Sequence, residues 1–381
     1  MPSPSRPTDL SNPFDLAVDG HRVKTPIAIA SMAGVVDAAY IAARADHVGM
    51  GFAGGYSIDP PTIEASRRMA GGGRCEFLPG DPVAEIGRQA DLLSRLPVVG
   101  GVNLRASTPG ALADLAGSVG DRVIYEIDAH CRQKPMMEAG SGEFLLHHPD
   151  RLVEMVRALA SREVMVSVKI RAGVAGSDPE LARRLWEAGA GLLHVDLMDA
   201  GHAKIRQIRN ASPILIIANN SMQSFDRVME MFSHGADLVS LARHSDPETL
   251  AGLDAAITRY AGEFGWYNAP KQLCRGGDVR ALTFCCLPVK DCPLQPTLKK
   301  VNLSREEYVN LKREAVKGTP LQDGQYTCFG SLAWCCKATS PCLLRDATLE
   351  QMGMTKKEYM QRKRELSRAI MDRVFPPRAR T

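Results

Sequence analysis

Eight short apolar or β-branched runs, each followed by a helical pattern, predict an α/β chain whose strands close into a (β/α)8 barrel, the TIM-barrel arrangement. A doubly wound open sheet is the alternative, but no GxGxxG fingerprint follows the first run. The second observation is the distribution of cysteine. Only Cys75 and Cys131 precede position 274, and the other eight of the ten lie from there onward. A barrel followed by a Cys-rich, mainly helical module is therefore expected, and 381 residues accommodate both.

Residues 1–24 read as a lead-in. The strands are placed at 26–31, 47–52, 97–104, 123–128, 164–169, 191–196, 213–218 and 237–241, inside a barrel domain at 25–260. Segments 179–188 (PELARRLWEA) and 223–234 (QSFDRVMEMFSH) carry the 3.6-residue spacing of helices packed on a sheet. The stretch 246–270 reads as the last barrel helix and a linker, and 270–381 as the Cys-rich module with a basic helix at 356–373.

Composition narrows the class further. Apolar residues at 45% and charged residues at 24% are globular values, which excludes disorder and collagen as descriptions of the whole. No apolar run reaches the roughly 18–20 residues of a membrane span, and the N-terminus lacks the apolar core of a signal peptide, so a soluble, cytoplasmic protein is expected. The net charge of +4 is small but unevenly spread, with nine Lys/Arg against three Asp/Glu between Lys356 and Thr381.

In a barrel of this kind chemistry sits at the carboxyl ends of the strands. Those ends carry Met32-Ala33-Gly34, Asn103, Asp128 through Arg132, Lys169-Ile170-Arg171, Asp196, Asn219-Asn220 and Ala242-Arg243. Here the residues become recognisable. Ser31-Met32-Ala33-Gly34-Val35-Val36-Asp37 resembles the P-M-A-G-V-T-D opening of tRNA-dihydrouridine synthases, and Glu126-Ile127-Asp128-Ala129-His130-Cys131 resembles their E-I-N-x-G-C segment. Val168-Lys169-Ile170-Arg171 is similar to their V-K-I-R strand, Ala218-Asn219-Asn220-Ser221 to their G-N-G-D turn, and Leu241-Ala242-Arg243 to their I-G-R end. The order holds over about residues 25–245, and the wider group includes the flavin barrels of dihydroorotate dehydrogenases.

The resemblance implies an FMN site. Asn219, Asn220, Ala242 and Arg243 suit the phosphate, which needs a cation and backbone N–H groups. Lys169 would lie beside the isoalloxazine ring, Met32, Ala33 and Gly34 against it, and Asn103 where the family has a glutamine bonding the ring edge. The matching cysteine of the synthases delivers a proton to substrate carbon, which makes Cys131 the candidate acid, with His130 and Arg132 flanking it and expected to lower its pKa toward thiolate. Each has an ordinary structural counterpart: a lysine paired with a buried carboxylate, a solvated arginine, a turn asparagine, an inert buried cysteine. The departures fall on the substrate side. The family's Asn is Asp128 here, its Gly is His130, its Pro is Arg132 and its strand-six His is Asp196, so uridine in tRNA is not a safe inference.

The tail is duplicated. Cys274, Cys285, Cys286 and Cys292 are matched by Cys328, Cys335, Cys336 and Cys342, with CC-x5-C cores fifty residues apart. Each core precedes a capping-box helix, starting at Ser304 and at Thr355, with Glu307 and Glu358 three residues on. A chain without an export signal argues against disulfides. Four thiolates per half suit zinc or a [4Fe–4S] cluster, and the lack of any CxxC knuckle favours two iron–sulfur clusters over zinc. With its LCRGG opening at Leu273 to Gly277, the tail resembles the methanogenesis marker 9 domain of methanogenic archaea, which implies a place in methanogen metabolism without a reaction. It stands where the synthases have a helical tRNA-binding domain.

The expectation is an FMN-dependent oxidoreductase whose iron–sulfur centres exchange electrons with the barrel flavin, acting on an unknown small molecule and served by a redox partner protein. A dihydrouridine-type RNA-modifying reductase with a zinc tail, and a non-catalytic scaffold or assembly factor, are the alternatives. The basic last helix keeps nucleic acid open as a partner, but a solvated face with Glu–Lys pairs is the favoured reading.

Overall fold

The computed structural model describes residues 14, 16–18, 21–198, 201–212, 214–264, 266, 298–299, 302–319, 321–322 and 343–374. Eight parallel strands close a barrel in chain order: β3 (Ile27–Ile29), β4 (Met50–Ser57), β5 (Val99–Arg105), β6 (Ile124–Ala129), β7 (Val166–Arg171), β8 (Leu192–Asp196), β9 (Leu215–Asn219) and β10 (Leu238–Leu241), which returns to β3. Each coincides with a sequence-predicted run. The second is displaced toward its C-terminus. Residues 45–47 form a 3-10 turn, and the continuation AGGYS, beyond the end of the expected run, is strand with every residue buried. Buried on both faces, it uses glycine where neighbours come close rather than where the chain turns.

Inward positions follow the period of two and form layers. The lowest is apolar: Ala28, Met50, Phe52, Val99, Ile124, Leu192, Ile217 and Leu238. A small antiparallel hairpin of β1 (Leu16–Val18) and β2 (His21–Val23), which the lead-in reading did not anticipate, closes that end by adding Val18 and Val23 to the same cluster. Gly101 faces inward on β5 because a Cβ there would stand 2.5 Å from the Phe52 ring, which crosses the barrel and approaches His194 at 5.6 Å between ring centroids. Above this layer the inward residues become polar.

The outer helices bury one face each against the sheet. Helix α7 (Pro149–Ala160) covers the barrel with Leu152, Val153, Met155, Val156 and Leu159, and α10 (Phe225–His234) with Val228, Met231 and Phe232. Helix α8 (Asp178–Ala188) starts on Ser177, whose side chain accepts from Glu180 N–H. The last barrel helix α11 (Pro247–Phe264) is followed by Trp266, which meets Phe14 and Phe232 edge-on at 5.1 and 5.0 Å.

All eight tail cysteines lie outside the described residues, while the helices after the two cores lie within them. Arg305–Val316 begins with the predicted capping box of Ser304 and Glu307, and Lys356–Val374 with that of Thr355 and Glu358. Both helices bury the same pair of residues at the same offset, Tyr308 with Lys312 and Tyr359 with Lys363. The basic last helix is thus not solvated all round: it packs on Arg305–Val316 and on α11 and buries Met360 and Leu366 as well. Among the described residues no helix is long and apolar enough to cross a membrane.

Candidate active site

A cavity of about 640 Å³ opens at the carboxyl ends of the strands, lined from all sides of the barrel. That is within the range of ligand pockets. Met32, Ala33, Asn103, Asp128, His130, Cys131, Lys169, Asp196, Asn219, Asn220, Ala242 and Arg243 all stand on its wall. Gly34 does not. Its φ of +71° turns the chain after β3, and a Cβ would meet the Cys75 and Glu76 backbone at 2.6 Å, so this glycine allows the 74–76 segment to close over the loop rather than facing a ring.

That segment brings groups the sequence reading did not connect with the site. Arg105, at the end of β5, donates to Glu76 at 2.6 Å and to Asp128 at 3.0 Å, and Arg74 donates to Glu76 at 3.0 Å. Asp128 also accepts the backbone N–H groups of His130 and Cys131 at 2.9 and 3.0 Å. Burial would raise the Asp128 carboxyl, but Arg105, His130 and Lys169 overcome it and hold the pKa at about 2. Its oxygens are thus committed to Arg105 and to the turn after β6. Its charge is spent inside this cluster.

Beneath the cavity floor lies a closed polar layer. Asn219 Nδ2 donates to Ser240 Oγ at 2.8 Å, and Ser240 lies 2.7 Å from His194 Nε2. His194 Nδ1 is 2.8 Å from Glu126, which also accepts from Ser167 at 3.1 Å and from Asn103 Nδ2 at 2.8 Å. Burial keeps His194 neutral, its pKa pushed down, so Nδ1–H donates to the Glu126 carboxylate and Nε2 accepts from Ser240. The chain of donors runs one way and fixes both amides. Asn103 and Asn219 spend Nδ2 on the layer and keep Oδ1 for the cavity. A histidine thus stands on β8 two residues before Asp196, inside the barrel.

Lys169 is 5% exposed and donates to Ser31 O and Oγ at 3.2 and 3.1 Å. An ammonium has three donors, so one remains for a ligand. Its neighbour Arg171 pairs with Glu143 at 2.8 Å and reaches the His130 carbonyl at 3.3 Å. His130 Nε2 is 2.6 Å from Asp196 Oδ2. Burial raises the Asp196 carboxyl, but the hydrogen bond and charge of His130 reverse that and bring it to about 2. An ionised Asp196 takes the Nε2–H, and His130 Nδ1 makes no hydrogen bond among the described residues.

Cys131 departs from expectation. It is buried, and its apolar neighbours are Ala65, Met69 and Met136. Burial pushes the thiol pKa up, and Asp128 adds to this while Arg105 opposes it. The flanking His130 is bound to Asp196 and does not lower it. A protonated thiol is the state a proton donor needs, and burial works against the thiolate that the flanking cations were expected to favour.

On the opposite wall, Asn220 and Ser221 take φ values of +91° and +59°, bending the chain after β9, and Arg243 makes no hydrogen bond or ion pair among the described residues. A free guanidinium and a tight backbone bend form a donor set suited to a phosphate ester, and Asn219 Oδ1 beside them can accept from an adjoining hydroxyl.

The model of the dihydrouridine synthase (Dus) family matches residues 98–263, which include β5 to β10 and most of α11. The uncharacterized protein MJ0115 of Methanocaldococcus jannaschii is 48% identical over 107 residues, 28% of this chain and 69% of that protein. The chain belongs to the family of MJ0115. A second protein of the same organism, the uncharacterized protein MJ0144, is 24% identical over 237 residues, 58% of this chain and 90% of its own length. Among solved structures, DHODH from Eimeria tenella in complex with ferulenol is similar at 14% identity with a TM-score of 0.49, covering 67% of this chain and 86% of that one. A mandelate oxidase is similar at 16% identity and a TM-score of 0.43, with 65% and 78% covered.

Proposed function

We propose that the barrel is an FMN-dependent oxidoreductase acting on a small molecule. The observation that carries this is the convergence of residues from all the strand-end motifs on one cavity, within a barrel that the dihydrouridine synthase model matches from β5 onward. The residues fit the cofactor: Arg243 with the 219–221 bend for its phosphate, the third Lys169 donor and Asn103 Oδ1 for the ring edge, Met32 and Ala33 for its face. FMN, when bound, supplies hydride exchange. The protein's own part is the proton. His130, held by Asp196 and Arg171, carries it at Nδ1 on the substrate side, and the neutral Cys131 thiol lies next to it in the chain as a second donor.

The tail enters on its sequence: eight cysteines in two sets of four, proposed to hold two [4Fe–4S] clusters that exchange single electrons with the flavin and with a partner protein in methanogen metabolism, zinc being the alternative. Anaerobic purification with iron, zinc and flavin analysis tests this. About eight irons and one flavin per chain are expected; zinc without iron overturns the redox role of the tail. The family match also favours a second reading, an RNA-modifying reductase. A dihydrouridine deficit in tRNA after deletion of the gene would establish it in place of the first.

A further inference from the structure

We infer that Arg132 makes this cavity a receptor for a small monocarboxylate. The inference rests on the flavin reading for the allocation of Lys169 and Arg243 to the cofactor, and on pairing geometry for everything else. The charged side chains on the substrate wall cancel one another in turn. Arg105 and Arg74 share Glu76 and Asp128, Arg171 holds Glu143, and His130 holds Asp196. Arg132 alone is left over. Its side chain lines the cavity, is exposed, and makes no hydrogen bond or ion pair among the described residues. It directly follows Cys131 and lies two residues after His130, so an anion on it sits where both proton carriers are near.

The size of the excess charge selects the anion. One guanidinium offers two parallel N–H donors and a single positive charge, which a carboxylate matches fork to fork. A phosphate dianion would carry more negative charge than the one unpaired cation on this wall can match. RNA needs a track of free cations. The arginines of helix Pro60–Gly71 do not provide one, since Arg67 pairs with Glu64 and Arg68 with Glu138.

Calorimetric titration of the full chain with acetate, benzoate and nicotinate, set against neutral benzamide and dianionic phenyl phosphate, tests the inference. FMN content is measured on the same samples. At least one carboxylate binds, Arg132→Gln weakens it about tenfold or more, Arg132→Lys keeps part of the affinity, and benzamide does not compete. Because Arg132 is exposed and makes no hydrogen bond or ion pair among the described residues, Arg132→Gln is expected to fold as the parent does. No carboxylate binding, equal binding by Arg132→Gln, or phenyl phosphate binding more tightly than benzoate each overturns it. Arg132-dependent carboxylate binding to a chain that takes up no FMN retains this inference and removes the flavin reading. FMN uptake with no carboxylate site does the reverse.

Discussion

Removing the Arg105 guanidinium leaves the Glu76 and Asp128 carboxylates facing each other in a buried space with 0% and 6% of their side-chain surface exposed. Arg105→Met is accordingly expected to destabilise the protein by about 3–5 kcal/mol, the range for a buried ion pair broken on one side, as read by urea unfolding. Loss of under 1 kcal/mol would show that water reaches the cluster. Acid has a related effect. The folded-state pKa of Asp128 and Asp196 lies at about 2, below the ordinary 3.8 of an aspartate, so their contribution to stability is complete above about pH 4 to 5 and is lost as the pH falls toward 2. Each is worth about 2 kcal/mol by that shift. Asp196→Asn, which removes one carboxylate and leaves its shape, should flatten the acid limb of stability against pH, and an unchanged limb would dissociate Asp196 from it. At this scale the sequence pointed to Asp128, His130, Lys169 and Arg243, because strand ends of a barrel announce themselves. It did not point to Arg105 or Glu76. Arg105 ends β5 like any surface arginine, and its partners lie 29 residues before and 23 after it, joined only by the fold.

Strand alternation decides which residues share a layer, and the inward positions of β5 show how tightly. Gly101, Asn103 and Arg105 face in together, one below the cavity, one on its floor and one on its wall. Gly101→Ala places a methyl group 2.5 Å from the Phe52 ring, whose movement is blocked by its packing in the lower layer. A cost of about 1–3 kcal/mol is expected, with part recovered in the double variant with Phe52→Leu, where a double-mutant cycle reads the coupling. Independent additivity of the two changes would place the ring elsewhere. The polar layer of Asn103, Glu126, Ser167, His194 and Ser240 was only half legible. Glu126 stood inside a recognisable segment, yet His194 lies within the apolar run LLHVD, where nothing in the pattern singles it out. Its period-two partnership with Asp196 was the available signal. The glycines of β4 hid that strand's extent for the opposite reason: turn chemistry and close packing use the same residue.

The whole molecule joins a barrel that sequence patterning described well to a tail that it described by repetition. Offset capping boxes in the tail are borne out, and each helix buries a tyrosine and a lysine at matched positions, a symmetry that composition could not show because the lysines read as solvated. Ser304→Ala is expected to cost about 1 kcal/mol of tail stability through loss of the cap, visible as earlier hydrogen exchange in residues 305–316, and no change would mean that packing on the last helix alone holds it. The central claim, that the cavity is built for FMN, has one direct measurement: equilibrium titration of the flavin-stripped full chain with FMN, followed by flavin fluorescence, for the parent and for Arg243→Gln. The account predicts saturable binding near one FMN per chain, weakened about tenfold or more, or about 1.4 kcal/mol, by Arg243→Gln. Absence of binding in the parent, or an affinity that Arg243→Gln leaves unchanged, would contradict it.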